Sequence, residues 1–300
     1  MAEIGSRITI AQPSVGTRIG KKLWAWRRLP LIPMFILAVF VATGLIAPLI
    51  APHDPERGDI RARMVPPAWM EGGSSEYLLG TDHLGRDVLS RVIYGARISL
   101  VVVAVTLGVG LVIGVIAGLL AGWYGGWIDE LMMRIVDIKL AIPTILLALV
   151  LVLALGQSFL IIIAILAIAV WPRFARNTRG EVLQLKNMDY VSLAKVSGAS
   201  TPRILFVHIF PGVVNTLIIL ASLEVGIVIL LESTLSFLGA GVPPPTPAWG
   251  SMVADGRDRL AVAWWISTMP GVAIMLVVLA MNLFGDWLRD KLDPRLRQLE

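Results

Sequence analysis

Leu140–Trp171 reads LAIPTILLALVLVLALGQSFLIIIAILAIAVW, without a single charged residue. A helix needs about 20 mainly apolar residues to cross ~30 Å of hydrocarbon, so this run is too long for one comfortable crossing. Gly156-Gln157-Ser158 interrupts it near the middle. Read as two helices joined by a tight turn, it brings the chain to six spans; read as one, to five. Four other stretches qualify as spans: Leu29–Ile50, Ser99–Ala121, Gly212–Leu231 and Trp265–Phe284. The first carries Pro30, Pro33 and Pro48. The weakest is the fourth, whose apolar run from Phe159 to Pro172 is short and needs neighbouring helices or bilayer thinning to accommodate it.

Charge decides between the two counts. With six spans and the N-terminus inside, the cytoplasmic segments hold 18 of the 26 Lys and Arg residues and the outer segments 8. With five spans the numbers are 10 inside and 16 outside, which inverts the positive-inside rule. The expected fold is therefore all-α and polytopic, with six transmembrane helices and both termini cytoplasmic. It divides into a basic N-terminal segment (1–28), a first span with an extracytoplasmic loop (29–97), a transmembrane core (98–288) containing a cytoplasmic loop (173–211), and a cytoplasmic tail (289–300).

Composition agrees and excludes several classes. Of the 300 residues 56% are hydrophobic and 16% charged, against about 45–50% and 25% in soluble domains. There is no cysteine, so disulfides, thiolate metal sites and Cys nucleophiles are excluded. The basic residues behind the net charge of +5 flank apolar runs, as expected of cytoplasmic membrane loops rather than of a nucleic-acid-binding surface. The basic stretch Arg18–Arg28 precedes an apolar run too long for a signal-peptide core, with no small-residue cleavage site after it. It reads as the flank of a retained span, with Trp24, Trp26, Arg27 and Arg28 as an interfacial anchor. Gly16–Lys22 has three residues between its glycines and no Ser or Thr after the lysine; it is not a phosphate loop.

Gly110, Gly114, Gly118 and Gly122 recur every fourth residue. This spacing makes a smooth stripe where another helix backbone can approach closely. In the loop 173–211, Tyr190–Ser197 reads as a short helix closed by Gly198. Ser200-Thr201-Pro202 reads as the start of another, with Pro in its first turn. That helix runs to Ile209, and Pro211 leads into the fifth span. A helix–Gly–helix elbow with corners at Gly198, Pro202 and Pro211 is a rigid protrusion that another protein could grip; an ordinary amphipathic connector is the alternative.

Ser192-Leu-Ala-Lys-Val-Ser-Gly198, with Ile209-Phe-Pro211 downstream, resembles the Glu-Ala-Ala loop of ABC importer permeases. Twelve residues separate Gly198 from Pro211, as in that family. Ser192 stands where the family has Glu, and Leu193 where it has the first Ala, so no Glu is available to bridge to a partner. Ala194, Gly198 and Ala199 remain as a small, close-fitting surface. Gly80-Thr-Asp-His-Leu-Gly-Arg-Asp-Val-Leu-Ser-Arg91 resembles the signature of the dipeptide, oligopeptide and nickel branch, in the second of its paired permeases. Leu235-Ser-Phe-Leu-Gly239 and Pro244-Pro-Thr-Pro-Ala-Trp-Gly250 add to the likeness, which covers nearly the whole chain.

The resemblance implies the type I importer permease fold and a role as half of a translocation pathway for peptides or a related solute. It implies a second permease subunit, two cytoplasmic ATPase subunits that use ATP and Mg, and an extracytoplasmic solute-binding protein, in a bacterial or archaeal cytoplasmic membrane. The coupling residues would be Ser192, Leu193, Ala194, Gly198, Ala199 and Pro211. No cofactor and no catalytic group is expected on this chain itself. The competing class is a stand-alone ion-coupled secondary transporter, but no further set of intramembrane carboxylates or histidines supplies its proton relay.

Glu224 falls near the middle of the fifth span and Glu232 near its outer end; within a span a carboxylate costs on the order of 3 kcal/mol unless paired, protonated or facing water. Eight residues apart, they are about 80° apart around a helix. Either both line a watery pathway that meets cationic or amino groups of a solute, or each is bonded to a neighbouring helix or a partner permease. His53, His83 and His208 are the only histidines. His83, between Asp82 and Asp87, fits loop hydrogen bonding better than a metal site. Gly241–Trp249 is proline-rich and expected to be stiff and extended, a candidate contact for the delivering protein.

Overall fold

The computed structural model describes residues 29–292. The N-terminal anchor at Trp24–Arg28, the Gly16–Lys22 stretch and the end of the tail lie outside the described residues. α1 (Leu31–Ile50), α2 (Val88–Tyr124), α5 (Phe159–Leu185), α7 (Phe210–Phe237) with its lead-in from Thr201, and α9 (Trp265–Leu292) are each long and apolar enough to cross a bilayer. α3 (Gly126–Ala141) and α4 (Thr144–Leu155) form a sixth crossing as a pair bent by 88°. A short elbow helix, α6 (Asp189–Val196), follows α5, and α8 (Trp249–Arg257) precedes α9.

The fourth span is longer than its apolar run implied. Pro172 sits inside α5 without ending it, so the helix has 27 residues, about 40 Å at 1.5 Å per residue. The third crossing is the irregular one. Pro143 has no N–H to donate and disfavours the helical conformation at the residue before it. Ile142 is accordingly extended, at φ −87° and ψ 124°. α4 alone has 12 residues, about 18 Å, and reaches across only together with α3.

The glycine stripe of α2 packs against α5. A Cβ added at Gly114 would stand 2.5 Å from the Trp171 carbonyl oxygen, and one at Gly118 2.5 Å from that of Ala175. Only a bare Cα permits this separation, and packing of this kind holds helices together where lipid removes the hydrophobic drive between them. Gly125 and Gly126, both at positive φ, then turn the chain from α2 into α3.

Two ends of the bundle can be told apart. At one, residues 51–87 form a cap that meets the start of α2, α8 and the start of α9. The Gln157 side chain donates to the Gly239 carbonyl, and Trp265 Nε1 donates to the Thr81 carbonyl at 3.0 Å. At the other, the Lys186 ammonium donates to the Gly122 carbonyl at 2.9 Å beside the elbow. The six crossings alternate between these ends, so residues 29 and 292 both lie at the elbow end. α2 has 37 residues, about 55 Å, and overshoots the hydrocarbon into the cap. Asp87 caps its start by accepting from the Ser90 N–H at 2.9 Å.

Gly241–Trp249 is not extended. It turns back on α7: the Val242 N–H donates to Ser236 Oγ, and a Cβ at Gly241 would collide with Ser236. Trp249 is fully buried and donates to the Val92 carbonyl at 2.9 Å, leaving Pro244 and Pro245 as the exposed part.

Candidate functional site

The elbow is built as the local sequence requires. α6 is a helix of 8 residues and ends in a glycine cap: Gly198 takes φ +77°, and the Ala199 N–H donates back to the Ala194 carbonyl at 3.0 Å. This is the six-to-one closure that a left-handed residue allows. Val191 is fully buried beneath the elbow, and Ala194 and Ala199 pack half-buried on the core. The Lys195 ammonium lies 4.6 Å from the centre of the Trp123 ring, fixing α6 to the end of α2.

The outward face is apolar. Leu193 is 67% and Val196 87% exposed, with Met188 and Tyr190 also exposed beside them. Ser192 and Gly198 are exposed as well. Pro211 does not form a corner. A π-helical stretch, Ile204–Ile209, joins the turn at Thr201–Arg203 to α7 without a break. The Phe210 N–H reaches back to the Leu205 carbonyl; widening by one residue per turn accommodates a proline whose ring would otherwise meet the carbonyl four residues earlier. The elbow is thus continuous with a 37-residue helix through which displacement can pass into the bundle.

A second site lies inside the spans. Glu224 is 2% exposed, and its Oε1 accepts from Arg173 Nη1 at 2.7 Å. Its Oε2 is buried without a hydrogen-bond partner. Lys139, also buried, donates to the Ala169 carbonyl at 2.9 Å and to Thr144 Oγ1 at 3.3 Å. That carbonyl adjoins the one that Pro172, lacking an N–H, leaves without its helical donor. A cavity of about 200 Å³ opens between the α3–α4 bend, α5 and α7, with Lys139, Thr144, Arg173 and Glu224 on its wall. Glu232 is not among its lining residues; it is fully buried and accepts from Ser236 Oγ at 2.7 Å, with Ser233 Oγ at 3.4 Å.

Sequence reasoning missed Lys139 and Arg173, because both fell in segments read as cytoplasmic loops. The available signal was charge pairing between those segments. Arg179 meets Asp129 at 2.5 Å and Arg176 meets Asp137 at 2.5 Å. These partners align α3 along α5 and carry the helical register of α5 past Pro172.

The cap carries a third cluster. Gly85, at φ +76°, passes so close to Asp59 that a Cβ would lie 1.8 Å from its carbonyl oxygen, which explains a glycine at this turn. Asp82 accepts from the N–H groups of Leu84 and Arg86 and from Arg86 Nε at 2.6 Å. Arg86 also reaches Asp255 of α8 at 3.3 Å, and Arg91 Nη1 donates to the Pro55 carbonyl. Asp82, His83 and Asp255 place ligand atoms within 4.8 Å of one another, but the two carboxylates already serve the Arg86 guanidinium. Burial holds the His83 imidazole below its usual pKa, opposed by the Asp82 charge.

A bundle of alternating spans with a capped elbow at one end and a folded cap at the other is that of a membrane permease, and comparison with known proteins agrees. Residues 110–298 match the family model "Binding-protein-dependent transport system inner membrane component", and the chain belongs to that family. It is 51% identical over 263 residues to the dipeptide transport system permease protein DppC of Escherichia coli strain K12, covering 88% of this chain and 87% of that one. It is 45% identical over 264 residues to the di/tripeptide transport system permease protein DppC of Pseudomonas aeruginosa strain UCBPP-PA14, with the same coverages. Among solved structures, a chain of the MetNI methionine ABC transporter in an inward-facing conformation superposes with a TM-score of 0.55 at 18% identity. That match covers 68% of this chain and 96% of the other, and shows the importer permease fold.

Proposed function

We propose that this chain forms half of the translocation pathway of an ATP-driven importer for dipeptides or other short peptides, paired with a second permease. Two ATPase subunits, using ATP and Mg, would grip the elbow, and a solute-binding protein would deliver peptide to the cap. The elbow end then faces the cytoplasm, both termini lie there, and the chain itself carries no chemistry. Relatives named as dipeptide and di/tripeptide permeases, at 45–51% identity over most of the chain, support the solute class.

The observation that carries the coupling role is the outward face of α6. Tyr190, Leu193 and Val196 are exposed on a helix fixed by Val191, Lys195 and the Gly198 cap. An apolar patch held stiffly in water marks a protein contact. Ser192, Ala194, Ala199 and Pro211 would frame that contact. In this arrangement closure of the ATPase pair pushes α6, and the continuous helix from Thr201 to Phe237 carries the movement to the cap end. The test is reconstitution in proteoliposomes with and without the ATPase subunits and the binding protein. Peptide uptake only with all of them supports the reading; uptake by this chain alone, driven by an ion gradient, rejects it.

A further inference from the structure

The charges at the bend in the third crossing do not balance. Lys139 and Arg173 bring two cations to one cavity, and among the described residues that line it Glu224, paired with Arg173, is the one carboxylate. Among the described residues no carboxylate lies within ion-pair distance of the Lys139 ammonium, whose printed partners are a carbonyl and a hydroxyl. The Arg173 side chain is 46% exposed, so part of its guanidinium remains open. The site lacks one negative charge.

Leaving a cation unmet inside a span is costly, and a carboxylate on the passing solute would supply the missing charge. The C-terminal end of a peptide carries one. We propose that the cavity between the α3–α4 bend, α5 and α7 binds this end of the passing peptide. Arg173 and Lys139 take the carboxylate, while Glu224 Oε1 holds the Arg173 guanidinium in place. This rests on the peptide reading above and deepens it. The volume agrees: pockets that enclose a drug-sized ligand run to about 300–1,000 Å³, and about 200 Å³ suits the end of a peptide rather than a whole one. Every unmodified peptide has such an end whatever its side chains, so the site is indifferent to sequence. Thr144, which accepts from Lys139, is a positioning residue; it keeps the ammonium turned toward the cavity.

The test uses the full complex of both permeases and both ATPases in nanodiscs, without the binding protein, so that delivery does not select the ligand. Saturation-transfer NMR is recorded with dialanine, N-acetyl-dialanine and dialanine amide. The free acid and the acetylated form should both receive saturation, and the amide at least tenfold less. Arg173→Gln combined with Lys139→Gln should abolish the difference, whereas Arg173→Lys should keep part of it. Equal saturation of acid and amide in the wild type overturns the proposal, as does an undiminished acid signal in the double variant. Loss of the second permease from the double variant, seen by size exclusion, would assign the missing carboxylate to that partner and also overturn it. ATP-driven uptake of dialanine by the wild-type complex with its binding protein, measured alongside, stands or falls separately and tests the importer reading.

Discussion

Gly198 offers a substitution that separates docking from folding. Its φ of +77° is left-handed, and a Cβ there would meet no atom within 4 Å. Within the isolated chain a new side chain therefore costs backbone strain alone. That strain is about 1–2 kcal/mol for most residues and less for Asn, whose side chain tolerates this conformation. It falls on the Ala199-to-Ala194 closure of an 8-residue helix, not on the bundle. Gly198→Asn should insert at wild-type levels and unfold in detergent within a few degrees of the wild type, since 1 kcal/mol shifts Tm by roughly 2–4 °C in a chain of this size class. Under an ATPase surface the same amide has nowhere to go. Burying it without partners costs about 1–3 kcal/mol, a weakening of roughly 5- to 150-fold. The assay is titration of labelled ATPase subunits onto the permease pair in nanodiscs, with peptide uptake measured in parallel. Unchanged ATPase affinity and uptake in Gly198→Asn would refute the docking role, and failure of the variant to insert would refute the claim that the position is structurally unencumbered.

Other perturbations follow from the same geometry. Gly114→Leu would drive a side chain into Trp171 and Phe174, where a Cβ alone already lies at 2.5 Å. Overpacking of about 1–3 kcal/mol should lower Tm and the yield of inserted protein, whereas Gly108→Leu, with nothing within 4 Å, should change neither. Arg86→Ala would break the buried pair with Asp82, 2% exposed, and leave Arg91 Nε at 3.7 Å as its remaining cation. The loss then falls below about 3–5 kcal/mol, the cost of a wholly unpaired buried charge; limited proteolysis should cut residues 51–87 faster while the spans stay intact. The depressed pKa of His83 means that the unfolded cap binds a proton more readily than the folded one. Its contribution is full above the ordinary value of 6.5 and declines as pH falls below it. Protection factors of the cap amides, taken against the intrinsic exchange rate at each pH, should fall on acidification, and His83→Gln should remove that dependence.

The span count was legible because hydrophobic length and loop charge act on the whole chain. Gly110–Gly122 could be read as a packing stripe because small residues at fourfold spacing have one structural use on a helix. The elbow was legible because Gly198 follows a short helical run and only a left-handed residue closes it that way. What misled was proline. Pro172 looked like an end and is not, because α3 pairs its acids with Arg176 and Arg179 and Lys139 covers the Ala169 carbonyl beside the gap. Pro211 looked like a corner and is absorbed by a π-helical turn. Pro143 passed as an ordinary span residue, yet it makes the 88° bend. A proline fixes its own φ and removes one donor; whether the helix stops depends on neighbours that are distant in sequence. The same non-local dependence hid the Lys139–Arg173–Glu224 cluster, whose members come from three different helices.

A single-cysteine experiment reaches the central claim most directly, since the chain has no native cysteine. Val196→Cys places a thiol on the face of α6 at a position 87% exposed. In inside-out vesicles a membrane-impermeant maleimide should label it rapidly, and bound ATPase subunits should protect it; in right-side-out cells it should stay unlabelled. Labelling from the outer face, or labelling that the ATPase subunits leave unchanged, would contradict an elbow that couples the motor to the pathway.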